Sequence, residues 1–95
     1  MTPGWIYIMT DRPNGTLYVG VTDDLAQRVG QHRAGAVEGV TKDYGLTRLV
    51  YYERHDDLAP ATRHAKEMEE WPRGWKENLV LSTNPFWTDL FNRLG

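Results

Sequence analysis

The feature that most constrains the fold is a turn sequence, Pro13-Asn14-Gly15, between two short segments rich in aromatic and β-branched residues. Residues 5–10 precede the turn and residues 16–22 follow it, and both segments have the composition of β-strands. Asparagine and glycine readily adopt the left-handed backbone that tight hairpin turns require. The sequence therefore predicts a β-hairpin.

The predicted hairpin also predicts which side chains share a face. With an even number of loop residues, odd positions of the first strand pair with even positions of the second. Trp5 and Tyr7 are then expected on the same face as Tyr18, Gly20 and Thr22, because alternate strand residues point to the same side. A bulge near the turn would break this inference.

A helix is predicted from about residue 23 to about residue 34, because residues 22–24 offer a capping hydroxyl and two carboxylates. Leu25 and Val29 are four residues apart and form the predicted core stripe. Arg28 and His32 are also four apart and form a neighbouring polar edge.

The rest of the chain completes a small α+β domain. Residues 35–47 are predicted to be a long loop, residues 49–53 a third strand, and residues 56–71 a helix with an apolar stripe of Ala61, Ala65 and Met68. Only a short helical turn is predicted around Trp75, and an apolar tail containing Phe86, Trp87, Leu90 and Phe91 is expected to close over the core. We predict one domain, residues 1–95, with a three-stranded antiparallel sheet flanked by helices.

Composition narrows the function. The 95 residues contain no run near the ~20 apolar residues that span a bilayer, so a cytoplasmic protein is expected. The absence of cysteine excludes disulfides, thiolate nucleophiles and cysteine-ligated zinc. A net charge of −2 is the wrong sign for binding nucleic acid by bulk electrostatics. Any DNA binding must use a local basic patch.

No polar residue is diagnostic alone, since Arg28, His32 and Lys42 are each more commonly explained as surface residues, and Asn84 before Pro85 is typical of a turn. In combination, two phenols and a small residue on one face, beside an Arg/His pair, supply what phosphodiester hydrolysis requires. These are a proton acceptor, a cation for the phosphate and close backbone access. A free tyrosine, with a pKa of about 10, needs a cation to act as a base, and Arg28 offers one.

These residues resemble the GIY-YIG nuclease motif. Ile6-Tyr7 and Tyr18-Val19-Gly20 are similar to its two halves, with Trp5 in place of the first glycine and Val19 in place of isoleucine. The similarity to the small stand-alone bacterial branch of the family continues in order through Leu25, Arg28, His32, Thr41-Lys42, Tyr44-Gly45, residues 49–53, Trp71, Trp75-Lys76, Asn84-Pro85, Trp87 and Asp89-Leu90.

The resemblance implies a DNA endonuclease that hydrolyses phosphodiester bonds with one Mg²⁺ or Mn²⁺. Tyr7 and Tyr18 fall on the motif tyrosines, one of which is expected to help activate the attacking water. Arg28 falls on the arginine that holds the scissile phosphate, and His32 on a histidine that relays a proton in some relatives. The implied partner is branched, damaged or single-stranded DNA, with no membrane and no small-molecule cofactor.

Three further residues are candidates for contacts to the DNA backbone. Gly20 would allow close approach of substrate or of the neighbouring helix. Lys42 would contribute a charge from the long loop. Asn84 matches a late asparagine that is thought to support the family's active site.

Position 65 departs from the family pattern, in which the helix after the third strand reads R-E-K-Q-hydrophobic-K-K-W and its glutamate binds the metal. Counting back from Trp71 puts Ala65 at the glutamate. Either Ala65 is a core residue, or it replaces a glutamate, naturally or by design, and we favour a deliberately inactivated variant. Metal binding is then weakened or absent, and cutting is slowed by roughly 10³ or more.

Two alternatives to a nuclease remain open on the sequence. One is a nucleic-acid-binding module that never cuts, with Ala65 native. The other is a protein-interaction domain that keeps only the scaffold, which would be preferred if DNA binding were absent at low salt.

Overall fold

The hairpin forms one side of a three-stranded antiparallel sheet. β1 (Gly4–Thr10) pairs with β2 (Leu17–Thr22) on one edge and with β3 (Arg48–His55) on the other, giving the order β2-β1-β3. The computed structural model describes residues 2–35 and 45–94. The sheet and its flanking helices confirm the predicted α+β class.

The pairing of β1 with β2 confirms the predicted arrangement of side chains. Tyr7 pairs with Gly20 and Met9 pairs with Tyr18. The one irregularity in β1 lies between Ile8 and Met9 on the β3 side, so it does not disturb the hairpin. We call the side that carries Tyr7 and Tyr18 the tyrosine face, and the side that carries Ile6 and Ile8 the opposite face.

Helix α1 (Leu25–Arg33) packs on the tyrosine face through Leu25 and Val29. It begins later than predicted because Asp24 is the capping residue, and its carboxylate accepts a hydrogen bond from the Gln27 backbone N–H at 3.2 Å. Thr22 supports the cap, since its hydroxyl oxygen accepts from the Asp24 N–H at 3.1 Å. The cap fixes where α1 leaves β2.

Helix α2 (Leu58–Glu70) packs on the opposite face, which separates it from α1. Its buried stripe is the predicted one, Ala61, Ala65 and Met68, and it contacts Ile6 and Ile8. The sheet therefore divides the core into two apolar layers.

Among the described helices, none is long and apolar enough to cross a membrane.

Helix α3 (Arg73–Thr83) is much longer than the single turn predicted around Trp75, so that prediction was wrong. Pro72 is the N-cap, a position where a missing N–H costs nothing, and its carbonyl accepts from the Trp75 N–H at 3.0 Å. The Arg73 guanidinium donates to the carbonyls of Asn14 and Gly15. This clamp ties the hairpin turn to α3.

The segment after α3 passes around β3 from one layer to the other. Trp87 is buried in the layer of the opposite face, and Leu90 is buried in that of the tyrosine face. The Leu90 N–H donates to the Leu49 carbonyl at 2.8 Å. The predicted closing tail is confirmed for these two residues, but Phe86 is 85% exposed and takes no part in it.

Candidate active site

Tyr7 lies in the middle of β1 with a paired strand on each side. Its side chain is only 1% exposed, and its hydroxyl lies 2.8 Å from Nε2 of His32. The ring centroid of Tyr7 lies 6.3 Å from that of Tyr18 and 5.7 Å from that of His32. The structure thus brings together the two tyrosines and the histidine named from the sequence.

Gly20 of β2 is paired with Tyr7 of β1, and its lack of a side chain makes room for the Tyr7 ring. A side-chain carbon at position 20 would stand 2.5 Å from the Tyr7 hydroxyl oxygen and closer still to the ring. The close approach that Gly20 allows is that of the Tyr7 phenol, and its contact with the DNA backbone stays a prediction. Its role is to let Tyr7 lie across the strand.

His32 is a buried residue, although a histidine in the last turn of a helix is usually at the surface. It is 1% exposed, and burial, reinforced by the charge of Arg28, lowers its pKa to about 4. His32 is therefore neutral near pH 7. One ring nitrogen is bonded to Tyr7, and the other, Nδ1, has no hydrogen-bond partner among the described residues.

Arg28 lies one helical turn before His32 and borders the same hydroxyl. Its guanidinium is half-buried and donates to the Gln31 side-chain oxygen at 3.3 Å. Burial and the neighbouring Tyr18 raise the pKa of Tyr7 to about 12, and Arg28 opposes this rise. Tyr7 is therefore a neutral phenol at the meeting point of these side chains.

Tyr18 differs from Tyr7 in being half-exposed. Its ring meets that of His32 edge-on, at 5.5 Å between centroids. No side-chain hydrogen bond holds its hydroxyl within the described residues. Tyr18 is thus the motif tyrosine that solvent and substrate can reach.

A groove in two parts lies along β2, which pairs with β1 alone among the residues that the structure describes. Its first part, about 420 Å³, is bordered by α1 on one side and α2 on the other, and is lined by Val21, Thr22, Asp23, Gln27, Arg28, Gln31, Leu58 and Thr62. A second part, about 300 Å³, is lined by Leu17, Tyr18, Val19, Glu69 and Lys76. We call the two parts together the β2-edge groove.

Ala65 is not in the layer that contains Tyr7. It is 2% exposed and packs in the opposite layer with Ile6, Ile8 and Val19. Because α2 packs on the opposite face of the sheet, the residue at the position of the family glutamate does not face the tyrosines. Thr62, one turn earlier on α2, lines the β2-edge groove.

The divalent metal that the family resemblance implies does not fit the residues present. Ala65 has no ligand atom, and within residues 2–35 and 45–94 no group of three His, Asp or Glu side chains is placed to hold a metal ion. The site as it stands offers phenols, an imidazole and a guanidinium, which suit a phosphate oxygen better than a cation.

Asn84, named from the sequence among the candidate DNA contacts, is buried and makes its side-chain hydrogen bonds within the protein. It is 5% exposed, and its side-chain N–H groups donate to the carbonyls of Val50 at 3.1 Å and Thr88 at 2.8 Å. Its side-chain oxygen accepts from the Thr88 N–H at 2.9 Å. With these bonds made inside the protein, Asn84 fastens the closing segment to β3.

The groove contains one basic residue that was not among the predicted site residues, and one predicted basic residue falls outside the described part of the chain. Lys42, expected to contact phosphate, lies outside the described residues. Lys76, to which the sequence analysis gave no role, lines the groove beside Tyr18. In the sequence, Thr62 and Glu69 are seven residues apart, which is two helical turns, so both lie on one side of α2. The structure shows that this side borders β2, and Lys76 lines the groove together with Glu69.

Comparison with known proteins identifies the family. The model of the GIY-YIG catalytic domain matches residues 3–78. The chain belongs to the GIY-YIG family. The matched region contains β1, β2, α1, β3 and α2, and therefore includes Tyr7, Tyr18, Arg28 and His32.

The similar proteins are small bacterial members of this family. The chain is 31% identical over 78 residues to a UPF0213 protein of Serratia proteamaculans, covering 82% of this chain and 76% of that one. It is 29% identical over 87 residues to a UPF0213 protein of Yersinia pestis, covering 92% of each. The solution NMR structure of the UPF0213 protein BH0048 from Bacillus halodurans is similar with a TM-score of 0.53, 28% identity and 86% of each chain covered. The GIY-YIG chain described here thus has relatives of comparable length.

Proposed function

We propose that this GIY-YIG protein is a DNA endonuclease by descent whose phosphodiester cutting is strongly reduced by Ala65. The observation that carries the proposal is the convergence of Arg28, His32 and Tyr18 around the Tyr7 hydroxyl. A guanidinium beside half-buried hydroxyls is suited to a phosphate diester, since it supplies charge and hydrogen-bond donors together. Binding of DNA is retained while hydrolysis is slow.

Each residue has a distinct part in this proposal. Arg28 binds a non-bridging phosphate oxygen and stabilises the charge that develops on the pentavalent phosphorus centre. Tyr18, which solvent can reach, contacts the attacking water. Tyr7 is buried and keeps its proton near pH 7, so it acts as a hydrogen-bonding group and not as the base.

His32 positions the Tyr7 hydroxyl. If Nε2–H donates to the Tyr7 oxygen, only a lone pair is left unpaired at the buried Nδ1, which costs less than an unpaired N–H. The phenol O–H of Tyr7 is then free to donate to the phosphate. This tautomer connects the buried histidine to substrate binding.

Position 65 is proposed as the missing catalytic element. Thr62 lines the groove, and residue 65 follows it by three residues, which puts it one turn on and about 60° around the helix axis. A glutamate side chain at position 65 would extend around the edge of β2 toward the groove, whereas the alanine methyl group is too short to do so. Metal binding by such a glutamate would contribute several kcal/mol to transition-state stabilisation.

The test is a cleavage assay that compares the chain with Ala65→Glu and Ala65→Gln on plasmid, branched and single-stranded DNA, with Mg²⁺ or Mn²⁺. We expect Ala65→Glu to cut faster by roughly 10³ or more, and Ala65→Gln, which has the same length but no charge, to stay slow. Arg28→Gln should abolish the gain. Intact DNA with folded Ala65→Glu protein would refute the proposal.

A binding module that never cuts is the second candidate, and it is favoured by one observation. Ala65 fits the apolar layer with Ile6 and Val19 and leaves no unpaired polar group beside it, as expected for a native core residue. Binding of DNA by both the unchanged chain and Ala65→Glu, with no cutting by either, would select this function. Absence of binding at low salt would instead select a protein-interaction domain.

A further inference from the structure

The two parts of the β2-edge groove each contain a cation. Arg28 borders the first part and Lys76 the second, and successive residues of β2 line both parts. The six residues of β2 extend over about 20 Å. This length exceeds several-fold the axial spacing of about 3.4 Å between phosphates on one strand of duplex DNA.

Lys76 is held in place and still has free donors. Its Nζ donates to the backbone carbonyl of Glu69 at 3.0 Å, at the C-terminal end of α2, where the helix dipole favours a cation. An ammonium has three N–H donors, and the one to Glu69 is the one in use within residues 2–35 and 45–94, so two donors remain for a ligand there. The side chain is half-buried, which limits the freedom that it would lose on binding.

Four arginines are already paired with carboxylates. Arg12, Arg33, Arg54 and Arg73 each lie within 4.0 Å of a carboxylate. Lys76 has no carboxylate within that distance among the described residues. It is therefore a cation whose charge is available to a ligand in the groove.

We propose that Lys76 binds a second phosphate of the nucleic-acid strand whose first phosphate lies at Arg28 and Tyr18, so that the strand runs along the outer edge of β2. The inference rests on the proposed function and adds the direction in which the bound strand extends from the site. The Glu69 carboxylate lines the same part of the groove and opposes binding. Glu69→Gln is therefore expected to tighten binding.

Arg63 provides a control for Lys76. It is exposed on the side of α2 opposite the buried Ala61 and Ala65, it lines neither part of the groove, and its replacement by glutamine changes net charge equally. Binding of a fluorescent single-stranded oligonucleotide is measured for the unchanged chain, Lys76→Gln and Arg63→Gln at several salt concentrations. We expect Lys76→Gln to weaken binding at low salt by up to about fivefold and to lower the slope of log K against log salt by about 0.7, with little change for Arg63→Gln.

A phosphate scan assigns the contact. Oligonucleotides with one neutral methylphosphonate at successive positions should show two sensitive sites with the unchanged chain and with Arg63→Gln, but only the Arg28 site with Lys76→Gln. Two sensitive sites retained in folded Lys76→Gln, or equal effects of the two variants, would overturn the inference and leave the proposed function standing. No sensitive phosphate with any of the proteins would reject the proposed function itself.

Discussion

At the scale of single residues, the site depends on a buried phenol and a buried imidazole that satisfy each other. Tyr7 and His32 are each 1% exposed and share a hydrogen bond of 2.8 Å. Burial favours the neutral form of both groups, since an ion without a partner is costly in a core. The pair therefore sets a pH range for folding as well as a geometry for the substrate.

The pH dependence of stability should report this pair. His32 has an ordinary pKa of 6.5 when unfolded and about 4 in the fold, so the unfolded chain binds an extra proton between these values. Its contribution is intact above pH 6.5 and is lost as the pH falls toward 4, by an amount on the order of 3 kcal/mol. Urea titrations from pH 7.5 to 4 should show this loss. In His32→Gln, the slope of the unfolding free energy against pH should fall by the equivalent of about one proton. Identical pH profiles would contradict the burial of the imidazole.

Gly20→Ala should damage the site through packing. The added carbon meets the Tyr7 ring, so the ring must move away from His32, at a cost of roughly 1–3 kcal/mol. Gly30→Ala is the control, because nothing lies within 4 Å of the added carbon in the middle of α1, and alanine should stabilise a helix by up to ~1 kcal/mol. Denaturation midpoints measure both. An unchanged midpoint for Gly20→Ala would mean that Tyr7 does not lie across β2.

At the scale of elements, α1 and α2 contribute to one groove from opposite layers. This arrangement makes Ala65→Glu a costly change for the fold, because the carboxylate starts from a position that is 2% exposed. We expect Ala65→Glu to lower the free energy of unfolding by roughly 1–3 kcal/mol. If the glutamate reaches the groove and binds a cation there, Mn²⁺ should raise its melting temperature and leave that of Ala65→Gln unchanged. Equal responses of the two variants would place the carboxylate away from any metal.

Asn84 holds the closing segment in place, so we expect its replacement to lower stability and to leave DNA affinity unchanged. Asn84→Ala leaves the Val50 and Thr88 backbone groups without their partner, and each buried unpaired group costs ~1–3 kcal/mol. Asn92→Ala, at an exposed position, should change little. Melting curves should show this difference. DNA affinity, measured where both variants are fully folded, should be equal; a selective loss in Asn84→Ala would restore its expected role at the substrate.

At the scale of the whole molecule, charge limits how strongly nucleic acid is held. The net charge is −2, and several arginines are paired with carboxylates. Two phosphate contacts predict a slope near −1.4 for log K against log salt on single-stranded DNA. Measurement by fluorescence anisotropy across salt concentrations tests this value. A slope several times steeper would require a larger basic surface than the described residues provide.

The sequence predicted the sheet and much of the site because its signals were local. The Pro13-Asn14-Gly15 turn set the hairpin pairing, and period-two alternation then placed Tyr7 and Tyr18 on one face. The four-residue spacing of Arg28 and His32 brought both from α1 to that face. These inferences needed only strand and helix geometry.

The wrong predictions concerned relations between elements. A helical stripe shows that Ala65 is buried, but not against which face of the sheet. Buried amides and turn amides look alike in sequence, so the three bonds of Asn84 were not foreseeable. α2 ends before Pro72, and the same proline is the N-cap of α3, so the helix predicted as a short turn around Trp75 runs to Thr83.

The clamp from Arg73 to the carbonyls of Asn14 and Gly15 has a consequence for how this chain can be rebuilt. A hairpin tip is normally the place where a scaffold accepts a grafted loop, an affinity tag or new chain ends. Here the tip is anchored, and the two strands that carry Tyr7 and Tyr18 converge on it. An insertion between Asn14 and Gly15 would break both bonds to Arg73, so the tip of this hairpin is a poor place for engineered additions.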